Sequence, residues 1–263
     1  MRCVLLALLL LTSCRQPDRV AEPTPSVSAS ACLQRLFEGT RFLVCTPSGG
    51  RIEIRTAASN GVPFRSFSVL EAALGQRAEQ LLFVVNGGMF DKEGRAIGLS
   101  IEDGRELHPI NLRKGHGNFH MKPNGVFLVR RDGHAEVVPS RAYVADPDIM
   151  FATQSGPMLV IDGAIHPKFE ADGPSRYVRN GVGIDAHGAA VFAISLADVS
   201  FGKFARLFRD ELGAKNALYL DGSVSALWDP VDGRRDRHAP LGPMILVFKP
   251  EASAPHPEAR ATP

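Results

Sequence analysis

The sequence predicts a single α+β domain built on a mixed, mainly antiparallel sheet covered by a few helices. Three observations lead there. Short runs of β-forming residues recur along the chain, as in Leu81-Leu-Phe-Val-Val85 and Ala217-Leu-Tyr-Leu220, and the pattern breaks at polar residues beside glycine. Asp-Gly pairs, a strong hairpin signal, occur six times. Only two stretches carry helical periodicity.

At the N-terminus, Arg2 precedes an apolar run from Val4 to Leu11, followed by Leu11-Thr-Ser-Cys14. The run is shorter than the roughly 20 residues a spanning helix needs, and it suits the core of a signal peptide. The small residues before Cys14 resemble a bacterial lipoprotein cleavage box. Two readings stand: removal of residues 1–13 with acylation of Cys14, which would hold the protein to a membrane of the bacterial envelope by lipid, or an ordinary secretory signal cut nearby. Residues 14–31 are rich in proline, serine, alanine and charge and read as a disordered tether. Residues 250–263 share that composition and read as a solvated tail. The globular part is therefore expected at 32–249, long enough for a substantial core.

Cysteine usage agrees with export. Cys3 would leave with the signal and Cys14 would be acylated, which leaves Cys32 and Cys45 as a pair in an oxidising compartment. A two-residue turn at Glu38-Gly39 sets Phe37 opposite Thr40 and, counting outward, Cys32 opposite Cys45. At such a non-hydrogen-bonded position the Cα atoms lie about 4.5 Å apart, within disulfide range. Two free buried thiols are the alternative.

Strands are expected at Arg51 to Thr56, Leu81 to Val85, Val126 to Arg130, Met158 to Ile161, Val182 to Ile184, Ala190 to Ser195, Ala217 to Leu220 and Met244 to Phe248. Asp103-Gly104, Asp132-Gly133 and Asp162-Gly163 sit between short apolar runs and read as hairpin tips. One helix is expected from Ser68 to Gln76, with Val69, Ala72, Ala73 and Gln76 near one face. A second runs from Ser200 to Leu212 and repeats Phe204, Leu207, Phe208 and Leu212, with Ser200 as N-cap and Gly213 as terminator.

Composition excludes several classes. The net charge is +2, and no basic stripe or interleaved aromatic platform is present, which argues against nucleic-acid binding. No internal segment has the apolar length of a membrane span. Ser200-Phe-Gly-Lys203 fits a Ser-x-x-Lys pattern, yet its Ser-Asp-Asn and Lys-Thr-Gly partners are missing. His116 and His120 are four apart, but the glycines at 115 and 117 oppose the helix a zinc site would use. No cofactor and no metal are expected.

Four glycine-punctuated segments remain: Asn86-Gly-Gly-Met-Phe-Asp91, Gln154-Ser-Gly-Pro157, Arg179-Asn-Gly-Val-Gly-Ile-Asp185 and Leu220-Asp-Gly-Ser-Val-Ser225. Each reads as a strand running into a loop, where rigid scaffolds present chemistry. In this order they resemble the phosphodiester glycosidase family, over roughly Ile52 to Trp228. Gly117-Asn-Phe-His-Met-Lys-Pro-Asn-Gly-Val-Phe127 and the stretch from Phe201 to Leu212 are similar to its bacterial branch. The chain departs from the family at Ser223, where a second glycine often follows Leu-Asp-Gly; Asp221, Gly222 and Ser225 match.

The resemblance implies hydrolysis of a sugar from a phosphodiester. Such chemistry needs stabilisation of an oxocarbenium-like C1, delivery of a nucleophile and neutralisation of the departing phosphate. Asp221 is the candidate base or nucleophile. Arg179 is the candidate phosphate clamp, because guanidinium offers a planar donor fork. Asn86 and Asn180 are candidates for holding sugar hydroxyls. The amides of Gly87, Gly88, Ser155 and Gly156 are candidates for binding phosphate oxygens in nests, and Gly222 and Ser225 complete the candidate loop. A phosphate monoester leaves more easily than a sugar alkoxide, so a second carboxylate is not required. On the residues alone, Asp221 equally suits a loop cap and Arg179 its ion-pair partner. The expected ligand is a glycosyl phosphodiester or an envelope glycan. The alternative function is a non-catalytic envelope lipoprotein that binds glycan or a protein partner through the same loops.

Overall fold

The computed structural model describes residues 30–250. The signal segment, Cys14, most of the tether and the tail beyond Pro250 lie outside the described residues. The last two tether residues are part of the fold: Ser30 Oγ donates to Asp229 Oδ2 at 2.5 Å, and Ala31 O accepts from Thr46 N.

Three sheets make up the domain. The largest orders seven strands as Cys32–Phe37, Thr40–Cys45, Ala190–Ser195, Asn180–Ile184, Asn216–Tyr219, Met158–Ile161 and Ala164–Ile165. A five-stranded sheet runs Arg234–Arg235, Leu227–Asp229, Leu81–Asn86, Met244–Phe248 and Ile52–Arg55; another runs Arg105–His108, Ser100–Glu102, Ile149–Ser155, Gly125–Arg130 and Ala135–Pro139. Every ladder within these three sheets is antiparallel.

Turn chemistry sets much of the register. Glu38 and Gly39 both have positive φ, 43° and 73°, as a type I′ turn requires. That turn places Cys32 opposite Cys45, and the two form a disulfide with Cα atoms 4.0 Å apart. The expected tips at Asp103-Gly104, Asp132-Gly133 and Asp162-Gly163 each join two paired neighbouring strands.

The inner faces of all three sheets meet in one core. Phe192 stands edge-on to Phe83 at 5.5 Å and to Phe127 at 5.8 Å, so one ring from the large sheet touches both smaller ones. All three rings are fully buried, each worth roughly 1.5–3 kcal/mol over exposure.

The two helices cover outer faces. Phe201–Arg206 continues into a π turn at Leu207–Glu211 and packs Phe204, Leu207 and Phe208 onto Phe42, Val44 and Val191. Its N-cap is Ser200, whose Oγ accepts from Lys203 N, while Lys203 Nζ donates to Glu38 O. The Ser-x-x-Lys pattern is thus a helix cap. The other helix spans Phe67–Leu74 with Ser66 as cap and continues as a 3₁₀ segment at Gly75–Gln80. It buries Phe67 and Leu70, and Val69 is 52% exposed. The expected face through Val69 gives way because Phe67 and Leu70, at i and i+3, bury more apolar area against Leu81, Trp228 and Phe248.

Candidate active site

The strands Leu81–Asn86 and Asn216–Tyr219 end, and Asn180–Ile184 begins, at one point of the domain, where the two amides Asn86 and Asn180 lock their loops together. Asn86 Nδ2 donates to Asp221 O at 2.7 Å, and its Oδ1 accepts from Asn180 Nδ2 at 2.9 Å and from Ala226 N at 2.8 Å. Ser225 Oγ lies 3.1 Å from Gly222 O and 3.2 Å from Asn180 Oδ1. Asp221 N donates to Gly87 O, and Leu220 N to Asn180 O. Buried polar groups without partners are costly, and here nearly every one is satisfied by another glycine-punctuated segment.

The segment Gln154–Pro157 joins through backbone proximity. Gly88 N donates to Thr153 Oγ1 at 3.1 Å, and a Cβ at Gly88 would collide with Gln154 O and Thr153 Oγ1. Glycine is required there by close approach. Tyr219 N donates to Pro157 O. The Gln154 side chain gathers further loops, donating to Asn111 O and Ser140 Oγ and accepting from Leu99 N and Asn111 N. All four segments therefore converge.

Their roles differ in part from the sequence-based expectation. The side-chain groups of Asn86 are spent on the protein, and Asn180 Nδ2 is likewise engaged, so these amides brace the loops rather than offer donors to a sugar. The Gly87 amide donates to Pro243 O at 2.7 Å and that of Gly88 to Thr153, so neither forms an anion nest. Ser155 lies in the ladder opposite Gly125, and Gly156 stands against Asn124 and the carbonyls of Asn118 and Phe119. Ser155 Oγ is buried without a hydrogen-bond partner.

Asp221 opens a single 3₁₀ turn, Gly222–Val224, and caps it: Oδ1 accepts from Ser223 Oγ at 2.7 Å and from Ser223 N at 3.3 Å. Ser223 thus supplies a second donor to the carboxylate, which glycine at that place would not. Among the described residues no arginine or lysine forms an ion pair with Asp221, so the pairing with Arg179 is not formed. Burial raises the Asp221 carboxyl above its ordinary value, and the Ser223 hydrogen bonds oppose that shift.

Arg179 is fully buried, at 0% exposure. Its Nε donates to Val199 O at 2.9 Å and its Nη2 to Ser175 O at 2.8 Å, while Nη1 is buried without a partner. Aromatic rings surround the cation, with Cζ 3.5 Å from the centre of Phe201, 5.3 Å from Tyr219 and 5.7 Å from Tyr177. The donor fork is therefore not open as a bidentate clamp. Burial lowers the Arg179 pKa from its usual value, and the facing Tyr219 opposes this.

Tyr219 was not legible as a site residue, because two positions before Asp221 it reads as one more strand residue. Its hydroxyl faces Arg179 and lies so close to Gly222 that a Cβ there would strike it. Burial pushes its phenol up to about 12, so it stays protonated at neutral pH. One aromatic side chain thus stands between the buried cation and the carboxylate's loop.

A model of the phosphodiester glycosidase family matches residues 79–248 of this sequence. The chain belongs to the phosphodiester glycosidase family. The Uncharacterized protein YigE of Escherichia coli (strain K12) is 36% identical over 182 residues, 69% of this chain and 71% of that protein. The catalytic domain of zebrafish N-acetylglucosamine-1-phosphodiester alpha-N-acetylglucosaminidase, auto-inhibited by its pro-peptide, superposes with a TM-score of 0.57 at 16% identity, covering 83% of this chain and 81% of that one. A hypothetical protein from Synechocystis gives 0.51 at 15% identity, covering 83% and 61%. At these identities the structures show a shared fold. Within this family member, a hollow of about 430 Å³ adjoins Gly222, Ser223 and Ser225. Another cleft, about 1210 Å³ beside Arg55 and Glu102, contains none of the four segments.

Proposed function

We propose that the protein hydrolyses the bond between sugar C1 and the phosphate oxygen of a glycosyl phosphodiester in the bacterial cell envelope. Family and fold support a glycosidase-type hydrolase; substrate class and residue roles are our reading. The observation that carries it is the juxtaposition around Tyr219. On one side lies Asp221, a carboxylate without a cationic partner among the described residues; on the other lies a sealed arginine with Nη1 unspent.

Water is the second substrate. Asp221, ionised, either takes a proton from water attacking C1 or attacks C1 itself to form a glycosyl intermediate that water then opens. The C1–O bond breaks, the sugar gains hydroxyl, and a phosphate monoester departs. Arg179 supplies fixed positive charge toward the departing phosphate, with Nη1 as its remaining donor and the neutral Tyr219 hydroxyl between it and the loop. Preorganised charge in a water-poor setting is worth more than the same charge in solvent. Cys14 acylation would keep this chemistry at a membrane surface.

The test is an assay of purified protein against a panel of sugar-1-phosphodiesters beside Asp221→Asn. We expect turnover by the wild type, and its loss in the variant with binding of sugar phosphate retained. Complete inactivity of the wild type across a broad panel would favour a binding lipoprotein.

A further inference from the structure

The cleft beside Arg55 and Glu102 is a built site that the mechanism does not use. One wall is the hairpin of Ser100–Glu102 and Arg105–His108; the other is the turn from Thr56 to Phe64 with the helix Phe67–Leu74. Two links between the walls close the floor. Thr56 N donates to Glu102 Oε1 at 2.8 Å, and Arg55 grips Asp103 through Nη1 at 2.5 Å and Nη2 at 3.0 Å. On the hairpin Glu102 stands opposite Arg105, and Ser100 opposite His108. Cross-strand partners share a face, so all four side chains present to the side on which Glu102 meets Thr56.

That floor is polar and incompletely satisfied. Ser100 is 2% exposed and Thr56 7%, and the hydroxyls of both are buried without a hydrogen-bond partner. Among the described residues the cation nearest Glu102 Oε2 is Arg55 Nη1, at 3.9 Å, beyond hydrogen-bond distance. Buried polar groups ordinarily find partners, and two hydroxyls left over around one half-used carboxylate point to a ligand. Higher in the cleft, Phe64, Leu70 and Leu74 give an apolar wall. At the rim, Arg77 spends Nη2 on Glu53 Oε1, and the exposed Arg105 forms no ion pair among the described residues.

We infer that this cleft binds an acidic oligosaccharide, a short run of sugars carrying phosphate or carboxylate groups, at a site separate from Asp221. Sugar hydroxyls donate and accept at once, as two hydroxyls and a carboxylate oxygen require; an acidic peptide brings one backbone N–H per residue and otherwise mostly acceptors. The C–H faces of the rings suit Phe64 and the two leucines. Anionic groups suit the spare donors of Arg77 and Arg105. The volume, about 1210 Å³, exceeds the range of ordinary small-molecule pockets and suits several rings better than one. The site holds the protein on an anionic polymer and takes no part in bond cleavage, so it stands whether or not Asp221 hydrolyses a phosphodiester.

The experiment titrates the full chain, by calorimetry and amide NMR, with trigalacturonate, maltotriose 6-phosphate, neutral maltotriose and triglutamate. One or both charged saccharides should bind about tenfold or more tighter than maltotriose and triglutamate, with shifts confined to 55–64, 70–77 and 100–108. The carboxylate and phosphate probes tell which anion the rim takes, and either preference supports the site. Arg105→Ala, at an exposed position, should weaken the charged saccharide about fivefold or more. Ser100→Ala is the sharper variant. Removing a buried hydroxyl that has no partner should leave the free protein melting no lower than wild type, yet weaken the charged saccharide about threefold or more. Triglutamate bound as tightly as the saccharides, shifts centred on the Asp221 loop, no binding of any probe, or unchanged affinity in Ser100→Ala overturns the site, and none of these outcomes bears on turnover.

Discussion

The guanidinium of Arg179 lies over the ring of Phe201, its Cζ 3.5 Å from the ring centre, and Tyr219 meets the same ring edge-on at 4.8 Å. Phe201 is the first residue of a helix and Arg179 directly precedes a strand of the large sheet. Their contact fixes a cation and a phenol against each other beneath the loop that carries Asp221.

Asp221→Asn is expected to abolish turnover without loss of stability. Asparagine keeps the cap on the Ser223 amide. Because burial raises the folded carboxyl above its ordinary value of 3.8, ionising it disfavours the native state; that cost appears as pH rises through the unfolded value and is complete above the folded one. At pH 7 the variant should therefore melt no lower than wild type. In the wild type, the acidic limb of kcat/KM should fall above the ordinary aspartate range. A limb at or below 3.8 would remove Asp221 as the ionised base.

Arg179→Lys should lower both melting temperature and activity. Lysine keeps the charge but cannot reach Val199 O and Ser175 O together, and a hydrogen bond from a charged donor is worth about 1.5–3 kcal/mol. If the cation also stabilises the departing phosphate, the folded fraction should lose about 2 kcal/mol or more in kcat/KM. Normal turnover by the folded fraction, despite a lower Tm, would make Arg179 structural only.

Tyr219→Phe retains the edge-on contact with Phe201 and deletes only the hydroxyl. Thermal unfolding should register about 1 kcal/mol, and kcat should fall while KM changes little if that hydroxyl transmits the Arg179 charge. Equal kcat in the two proteins would confine Tyr219 to packing.

The bridge between Cys32 and Cys45 closes a sequence separation of 13 residues, and such loops contribute roughly 3 kcal/mol in the chain-entropy model. Non-reduced protein in denaturant should show no thiol from this pair, and a double alanine variant should unfold at correspondingly lower denaturant.

Cys14→Ser tests the proposed location. Loss of the acylation site should release the protein from membranes or block its processing. Membrane partitioning equal to wild type would sink the lipid anchor.

Local rules read from residue order account for much of the fold. Asp-Gly and Glu-Gly turns need only neighbouring residues and positive φ, so the hairpins at Asp103-Gly104 and Glu38-Gly39, and through the latter the Cys32–Cys45 register, were legible in the chain. Ser200 was legible as a cap for the same reason. The first helix reads from the sequence with its opposite face inward, because two alanines and a valine give a periodic pattern that the larger Phe67 and Leu70 override only once a sheet is present to bury them.

The sequence by itself determined an α+β chain with four glycine-punctuated strand ends, a cysteine pair in register and Asp221 in a family-like loop. Only the tertiary structure decided what those ends do to one another. Asn86 and Asn180, 94 positions apart, consume each other's hydrogen bonds; Gly88 is forced by a backbone passing against it; Arg179 is sealed among rings from three separate segments. Residue order sets which groups a chain can offer. Whether an amide or a guanidinium is spent or free depends on which distant partner satisfies it, and that follows from packing.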